Sequence, residues 1–458
     1  MSTPVAPREG EIQTELPPPR AMSREVWRLA GPAIVQSFLL TLVFLVDRAM
    51  LGRHSSEALA SMQVSGPLVW AITATLGAVH IAAVATVGRA YGAKEMDRAR
   101  TAARAALYVA AALGAIAAIL ATASLPLIDV LFASAGPAVL REVHGYLSVV
   151  LPALPALMLA GAAAAVHHAV GDTRTPLVVG VVGNVVNALG NLWLIFGGLG
   201  VPALGARGAA IASVVAVALE AALLVLLLVR GRGHLGIRGR GGERAMIARM
   251  ARVAGPAFAE RIVQHIGFQG YVLMIGALGS VAMAANQALV GIESICFLSA
   301  DGFGVAAAAI CAQRLGAGEP REASRGVRLS TSYAVLLLGA CAIAFLVIPE
   351  LLTEAFSPDP AIVTTAVPCL RIAAFAQPFM AIAVVVLDGL RGAGATRQSF
   401  VIMLIGSFVV RLGATYLACF VWDLGLAGAW IGSTADWIVR TALALVVFAR
   451  GRWASVEV

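Results

Sequence analysis

Apolar runs long enough to cross a bilayer recur along this chain and limit what it can fold into. A membrane-spanning helix needs about 20 mostly apolar residues, and the 458-residue sequence contains twelve such runs, bounded by Gly, Pro or charged residues. Charged residues make up only 13% of the chain, whereas soluble domains carry about 25%. The mean hydropathy of +0.88 agrees with this contrast. The sequence therefore predicts an all-α polytopic membrane protein.

The twelve runs predict the approximate limits of twelve transmembrane helices. These limits are 26–51, 62–88, 104–131, 145–169, 176–197, 207–229, 250–276, 281–312, 329–352, 362–388, 399–420 and 427–449. The domains predicted from them are a disordered cytoplasmic tail (1–25), a six-helix N-lobe (26–229), a basic cytoplasmic linker (230–249), a six-helix C-lobe (250–449) and a cytoplasmic C-terminus (450–458).

The basic residues predict the orientation of the chain in the membrane. Segments on the side that holds both termini contain 25 of the 33 Lys and Arg residues, whereas the opposite side holds only Arg48, Arg53, Arg141 and Arg207. Cytoplasmic loops are enriched in Lys and Arg, so we expect both termini to be cytoplasmic, in a bacterial inner membrane. The net charge of +8 follows from this orientation, and we expect no nucleic-acid partner.

The two halves of the sequence repeat each other. A shift of 224 residues aligns Gly31-Pro32 with Gly255-Pro256 and Gly92–Glu95 with Gly316–Glu319, and a shift of 223 aligns Gly171–Arg174 with Gly394–Arg397. Six spans per half is an even number, so both halves enter the membrane in the same orientation. The sequence thus predicts two six-helix lobes related by a parallel internal repeat, as in many transporters.

Enzymatic motifs are absent from the sequence. It contains no Walker loop, no HExxH, no G-x-S-x-G elbow and no paired-acid DDxxD motif, which argues against ATP hydrolysis and against the usual intramembrane enzymes. The five cysteines lie singly, without the spacing of a metal site. We therefore expect no catalytic residue and no cofactor apart from a coupling ion, and we expect secondary transport.

Coupling to an ion requires an ionisable side chain inside the membrane. In the first half, Asp47 and Glu220 have no basic residue at comparable depth that points toward them. Asn187 and Asn191 are four residues apart and so share one helix face, at about the depth of Asp47. These amides can offer oxygens to a cation, or they can simply bond one helix to another.

The second half holds its charges differently. The acids Glu260, Glu293, Asp301 and Asp436 share the bilayer with four arginines. Asp436 and Arg440 have the i,i+4 spacing of a helical ion pair. A structural role is sufficient for most of these acids.

Four stretches of the sequence resemble the multidrug and toxic compound extrusion (MATE) family. They are the segments Gly171–Ser213 and Glu293–Gly318, the first-span pattern of Pro32, Val46-Asp47 and Gly52, and Leu390-Arg391-Gly392 before Gly394. They recur in the family's order over nearly the whole chain. The resemblance implies twelve helices in two lobes and export of amphipathic, often cationic compounds in exchange for protons or sodium ions.

The resemblance also implies an ion-coupling site. Asp47 matches the first-helix acid of the DinF-like branch, Asn187 matches an asparagine of the same cluster, and Ser213 falls where a threonine is common. Asn191 completes the predicted site, although the branch usually has a second acid at its position. Na⁺ is then a candidate ligand of Asp47 and Asn187.

Candidates for a second acid are Glu260 and Glu220. NorM-type members place their C-lobe acids at positions that hold Gln264 and about Met380 here. The DinF-like branch therefore fits the sequence better.

The predicted function is multidrug efflux by a secondary antiporter, probably acting as a monomer on small organic substrates. Candidate residues of the substrate cavity are Gln36, Gln264, Asn286 and Gln287. One alternative is a lipid or lipid-linked precursor flippase of the same superfamily. A second alternative, from a different class, is an intramembrane enzyme.

Overall fold

The computed structural model describes residues 19–198, 200–231, 235–239 and 241–457. Within these ranges the chain is helical apart from its connections and one isolated bridge between Gly198 and Val201. The long helices are α1 (Pro19–His54), α2 (Ser56–Gly92), α3 (Met96–Ala123), α4 (Pro137–Val150 and Leu154–Ala169), α5 (Arg174–Phe196), α6 (Gly205–Arg230), α7 (Glu243–Gly276), α8 (Ser280–Gly316), α9 (Pro320–Val347), α10 (Pro360–Gly392), α11 (Thr396–Val421) and α12 (Gly425–Ala449).

The prediction of twelve helices in two lobes is confirmed. Among the described residues, ten helices are long and apolar enough to cross a membrane, and the two segments of α4, bent by 55°, make up to eleven. The bend follows Pro152 and precedes Pro155, which cannot supply backbone donors to a straight helix. Helix α7 falls outside the apolar set because charged side chains lie along its 34 residues.

Two predicted spans lie too far toward the C-terminus. Helices α3 and α9 begin and end several residues before the limits predicted for them. In both cases a proline just beyond the helix, Pro126 or Pro349, starts a separate short helix. Proline has no backbone N–H and cannot continue the preceding helix, so the apolar residues that follow it belong to a different element.

Parts of the predicted tail and linker lie outside the described residues, namely 1–18, 232–234 and 240. Helix α1 begins at Pro19, inside the stretch predicted to be a disordered tail. Proline is favoured in the first turn of a helix, where its missing N–H costs nothing.

The two lobes exchange the first turns of their first helices. The start of α1 is buried in the core formed by α8 to α12, and the start of α7 is buried in the core formed by α2 to α4 and α6. The exchanged side chains occupy equivalent positions, 224 residues apart: Met22 and Met246, Val26 and Met250, Leu29 and Val253. Neither core is therefore built from one half of the sequence alone.

Helices α2 and α8 cross at one end of the molecule with their backbones in contact. A Cβ atom on Gly92 would lie 1.9 Å from the carbonyl oxygen of Gln313, and one on Gly316 would lie 2.0 Å from that of Arg89. Only glycine permits this approach. We call this side the arginine-rich end, because a cavity of about 730 Å³ there is lined by Arg89, Arg98, Arg249, Arg252 and Arg397.

Candidate ion-coupling site

Four polar side chains form one hydrogen-bonded chain across α1, α5 and α6. The Nδ2 atom of Asn191 donates to Asp47 Oδ1 at 2.5 Å and to Asn187 Oδ1 at 3.0 Å. The Nδ2 atom of Asn187 donates to Ser213 Oγ at 3.0 Å. The structure thus brings together all four residues predicted for ion coupling.

Close packing of α5 against α6 makes this chain possible. A Cβ atom on Gly190 would lie 2.9 Å from the Cβ of Ala212, and one on Gly208 would lie 2.4 Å from the carbonyl oxygen of Leu194. Glycines at these points let the helix axes approach, as small residues do between membrane helices. Ser213 is consequently within reach of Asn187.

The site contains one carboxylate and one unused acceptor. Asn187 and Asn191 are buried, whereas Asp47 is half-buried. The Oδ1 atom of Asn191 is buried and accepts no hydrogen bond from the described residues. Carboxylate, amide and hydroxyl oxygens are the ligands that hard cations prefer. The same oxygens can accept a proton's hydrogen bond, so the arrangement can hold either a proton on Asp47 or a small cation beside it.

Glu220 lies on the same α5–α6 seam but outside the hydrogen-bonded chain. Its carboxylate packs over Gly183, where a Cβ atom would lie 2.0 Å from Oε1. Gly183 precedes Asn187 by four residues, about one helical turn. Glu220 is half-buried and makes no ion pair or hydrogen bond with a residue in the described ranges. It remains a candidate second acid.

The structure places the other candidate acid, Glu260, in the C-lobe. Glu260 forms an ion pair with Arg391, which also bonds Asp388 at 2.5 Å. Sequence reasoning did not predict these contacts, although the i,i+3 spacing of Asp388 and Arg391 was a signal for the second. The predicted pair of Asp436 and Arg440 is present.

The four residues predicted to line the substrate cavity do not come together. Gln36 is half-buried, and Gln264 accepts a hydrogen bond from Arg261 at 3.3 Å. Asn286 is buried with its Oδ1 atom unpartnered within the described part of the chain, and Gln287 is exposed. None of the four lines the cavity of about 260 Å³ between the lobes.

The repeated lobes and the polar site inside the membrane-spanning helices define a transporter. The chain belongs to the MatE family, whose model matches residues 32–193 and again residues 256–417. The two matches fall one in each half, which confirms the internal repeat.

Relatives along almost the full length of the chain support this assignment. The chain is 28% identical to the probable multidrug resistance protein NorM of Thermotoga maritima, over 94% of this chain and 93% of the relative. It is 24% identical to the multidrug resistance protein MdtK of Yersinia pseudotuberculosis, over 94% and 95% of the two chains. These relatives carry NorM and MdtK names, so the DinF-like branch remains a prediction.

Solved structures share the fold. The crystal structure of MATE in the bent conformation superposes with a TM-score of 0.85 at 19% identity, covering 94% of this chain and 95% of that one. An outward-facing MATE family transporter gives a TM-score of 0.85 at 20% identity, with the same coverage. The protein is thus a multi-pass membrane transporter of the MATE fold.

Proposed function

We propose that this protein exports amphipathic, cationic organic compounds across a bacterial inner membrane in exchange for protons or sodium ions. Both termini lie in the cytoplasm in this proposal, as the distribution of Arg and Lys predicts. The observation that carries it is the hydrogen-bonded chain from Asp47 through Asn191 and Asn187 to Ser213.

Protonation of Asp47 changes the hydrogen bonding of this chain. An ionised Asp47 accepts the amide hydrogen of Asn191. A protonated Asp47 becomes a donor, and Asn191 Oδ1 is an acceptor that no described residue uses. Binding of a proton or sodium ion therefore favours a different arrangement of α1 against α5. If the two arrangements belong to different states of the transporter, ion binding shifts the balance between them.

Cation and cargo compete for one negative charge in this scheme. The lobes meet at the arginine-rich end, where α2 crosses α8, and this supports an outward-open state in which Asp47 is reached from the opposite side. An ion that enters and neutralises Asp47 weakens the attraction for a cationic cargo. Exchange follows because each ligand has a different affinity for the two states.

Efflux from proteoliposomes tests the proposal. Ethidium is loaded inside, and proton and sodium gradients are imposed separately. We expect one gradient to drive export and Asp47→Asn to abolish it without loss of folded protein. Glu350→Gln is the matched control, since it removes an exposed acid that pairs with Arg371. Gradient-driven export that survives in Asp47→Asn would remove Asp47 from coupling.

A further inference from the structure

A second polar site lies between the lobes. A cavity of about 260 Å³ is walled by α2 and α4 on one side and by α7, α8 and α10 on the other. Small residues leave the space for it, among them Gly161, Ala164, Gly304 and Ala308. None of the residues in the Asp47 chain contributes to its wall.

Two opposite charges in this cavity lack ion-pair partners. Arg391 is held by Glu260 and Asp388, so these three charges compensate one another. Arg261 and Asp301 also line the cavity, and neither forms an ion pair within the described ranges. Arg261 donates from Nη1 to the neutral amide of Gln264, and its Nε atom is buried without a partner there.

The opposite wall adds two histidines with unused nitrogens. The Nε2 atoms of His80 and His168 are buried, and no described residue bonds either of them. The His80 ring packs so closely on α4 that a Cβ atom on Gly161 would lie 2.3 Å from its Cε1. Buried polar atoms normally have hydrogen-bond partners, and a neutral imidazole nitrogen can donate or accept. The wall is therefore suited to a polar ligand.

We propose that this cavity binds zwitterionic organic compounds, with the anionic group of the ligand on Arg261 and its ammonium group on Asp301. The inference rests on the proposed export function and extends its cargo from cations to zwitterions. Selectivity follows from the cost of leaving a buried charge unpaired. A singly charged ligand satisfies Arg261 or Asp301 but not both, whereas a zwitterion satisfies both.

Equilibrium binding to the purified full-length protein tests this assignment without any ion gradient. The probes are phenylalanine, its cationic methyl ester and its anionic N-acetyl derivative, which share one side chain and differ in charge. We expect phenylalanine to bind about tenfold more tightly than either derivative. Arg261→Gln should shift the preference to the methyl ester, and Asp301→Asn should shift it to the N-acetyl derivative.

Opposite shifts in the two variants separate ligand pairing from a structural role, which would weaken all three probes alike. Arg261→Lys should keep the preference for phenylalanine, and Arg371→Gln, at an exposed ion pair, should change nothing. Equal binding of the three probes, no binding of any, or a uniform loss in both variants would overturn the assignment. Because no gradient is present, failure of ethidium exchange leaves this result interpretable.

Discussion

Arg89 and Gln313 occupy equivalent positions in the two halves of the chain, and each donates a hydrogen bond to the other lobe. Arg89 Nη2 donates to the carbonyl oxygen of Ala393 at 2.9 Å, and Gln313 Nε2 donates to that of Ala169 at 2.7 Å. Both the donors and the acceptors are 224 residues apart. The contact between the lobes is therefore reciprocal, like the interface of a symmetric dimer.

Removal of these donors should open the arginine-rich end. Each hydrogen bond contributes about 1 kcal/mol, so the double variant Arg89→Ala, Gln313→Ala should shift the equilibrium toward the open end by more than about tenfold. Cys311 on α8 is buried, and its labelling by a maleimide should accelerate in the double variant. Arg100→Ala is the control, because Arg100 pairs with the exposed Asp97. Equal labelling rates in all three proteins would contradict this role.

A methyl group at the crossing of α2 and α8 should have a stronger effect. Gly92→Ala and Gly316→Ala each place a Cβ atom about 2 Å from a backbone oxygen, which the closed contact cannot accommodate. Overpacking of this kind costs roughly 1–3 kcal/mol, so we expect a lower unfolding temperature and slower export.

Gly339→Ala provides the matched control for these variants. Gly339 lies in α9 with no atom within 4 Å of an added Cβ, and alanine is favoured over glycine inside helices by roughly 0.5–1 kcal/mol. We expect this variant to be as stable as the wild type or more so. A similar loss in all three variants would show that the crossing has no special role.

A second carboxylate at position 191 should tighten binding of the coupling ion. Asn191→Asp places another carboxylate beside Asp47, and two adjacent carboxylates attract a proton or sodium ion more strongly than one. We expect half-maximal exchange at roughly tenfold lower ion concentration, measured by ethidium efflux. Asn286→Asp, on α8, serves as the control. No change in ion dependence would indicate that Asn191 only bonds α5 to α1.

Asp172, in the connection between α4 and α5, should make stability depend on pH. Burial alone would raise the pKa of Asp172, but hydrogen bonds from His167 and Thr175 outweigh it and hold the pKa below its usual range. A carboxyl with a lowered folded-state pKa contributes stability above its unfolded-state pKa, about 4, and loses that contribution as the pH falls through its folded-state value.

Asp172→Asn should therefore lower the free energy of unfolding by about 1 kcal/mol at pH 7. The difference from the wild type should shrink below about pH 4, as followed by thermal unfolding in detergent. Asp97→Asn tests a carboxylate that is 98% exposed, and it should have little effect at either pH. A difference that stays constant with pH would show that ionisation of Asp172 is not involved.

The sequence allowed one polar site to be predicted because that site depends on spacing along helices. Asn187 and Asn191 share a face by their i,i+4 spacing, and counting residues into each span places Asp47 at similar depth. The cavity that joins Arg261 to Asp301 depends instead on which faces of α7, α8 and α10 meet. Membrane helices are apolar on most sides, so their hydrophobic pattern does not specify those faces.

The exchange of α1 and α7 between the lobes has a consequence for biosynthesis. The first six helices leave the ribosome before Met250 and Val253, which complete their core, have been made. Met22 and Val26 likewise wait for the core of the second half. The two halves must therefore assemble together late in translation. A chain cut within residues 230–249 should recover its native form only when both fragments are synthesised in the same cell.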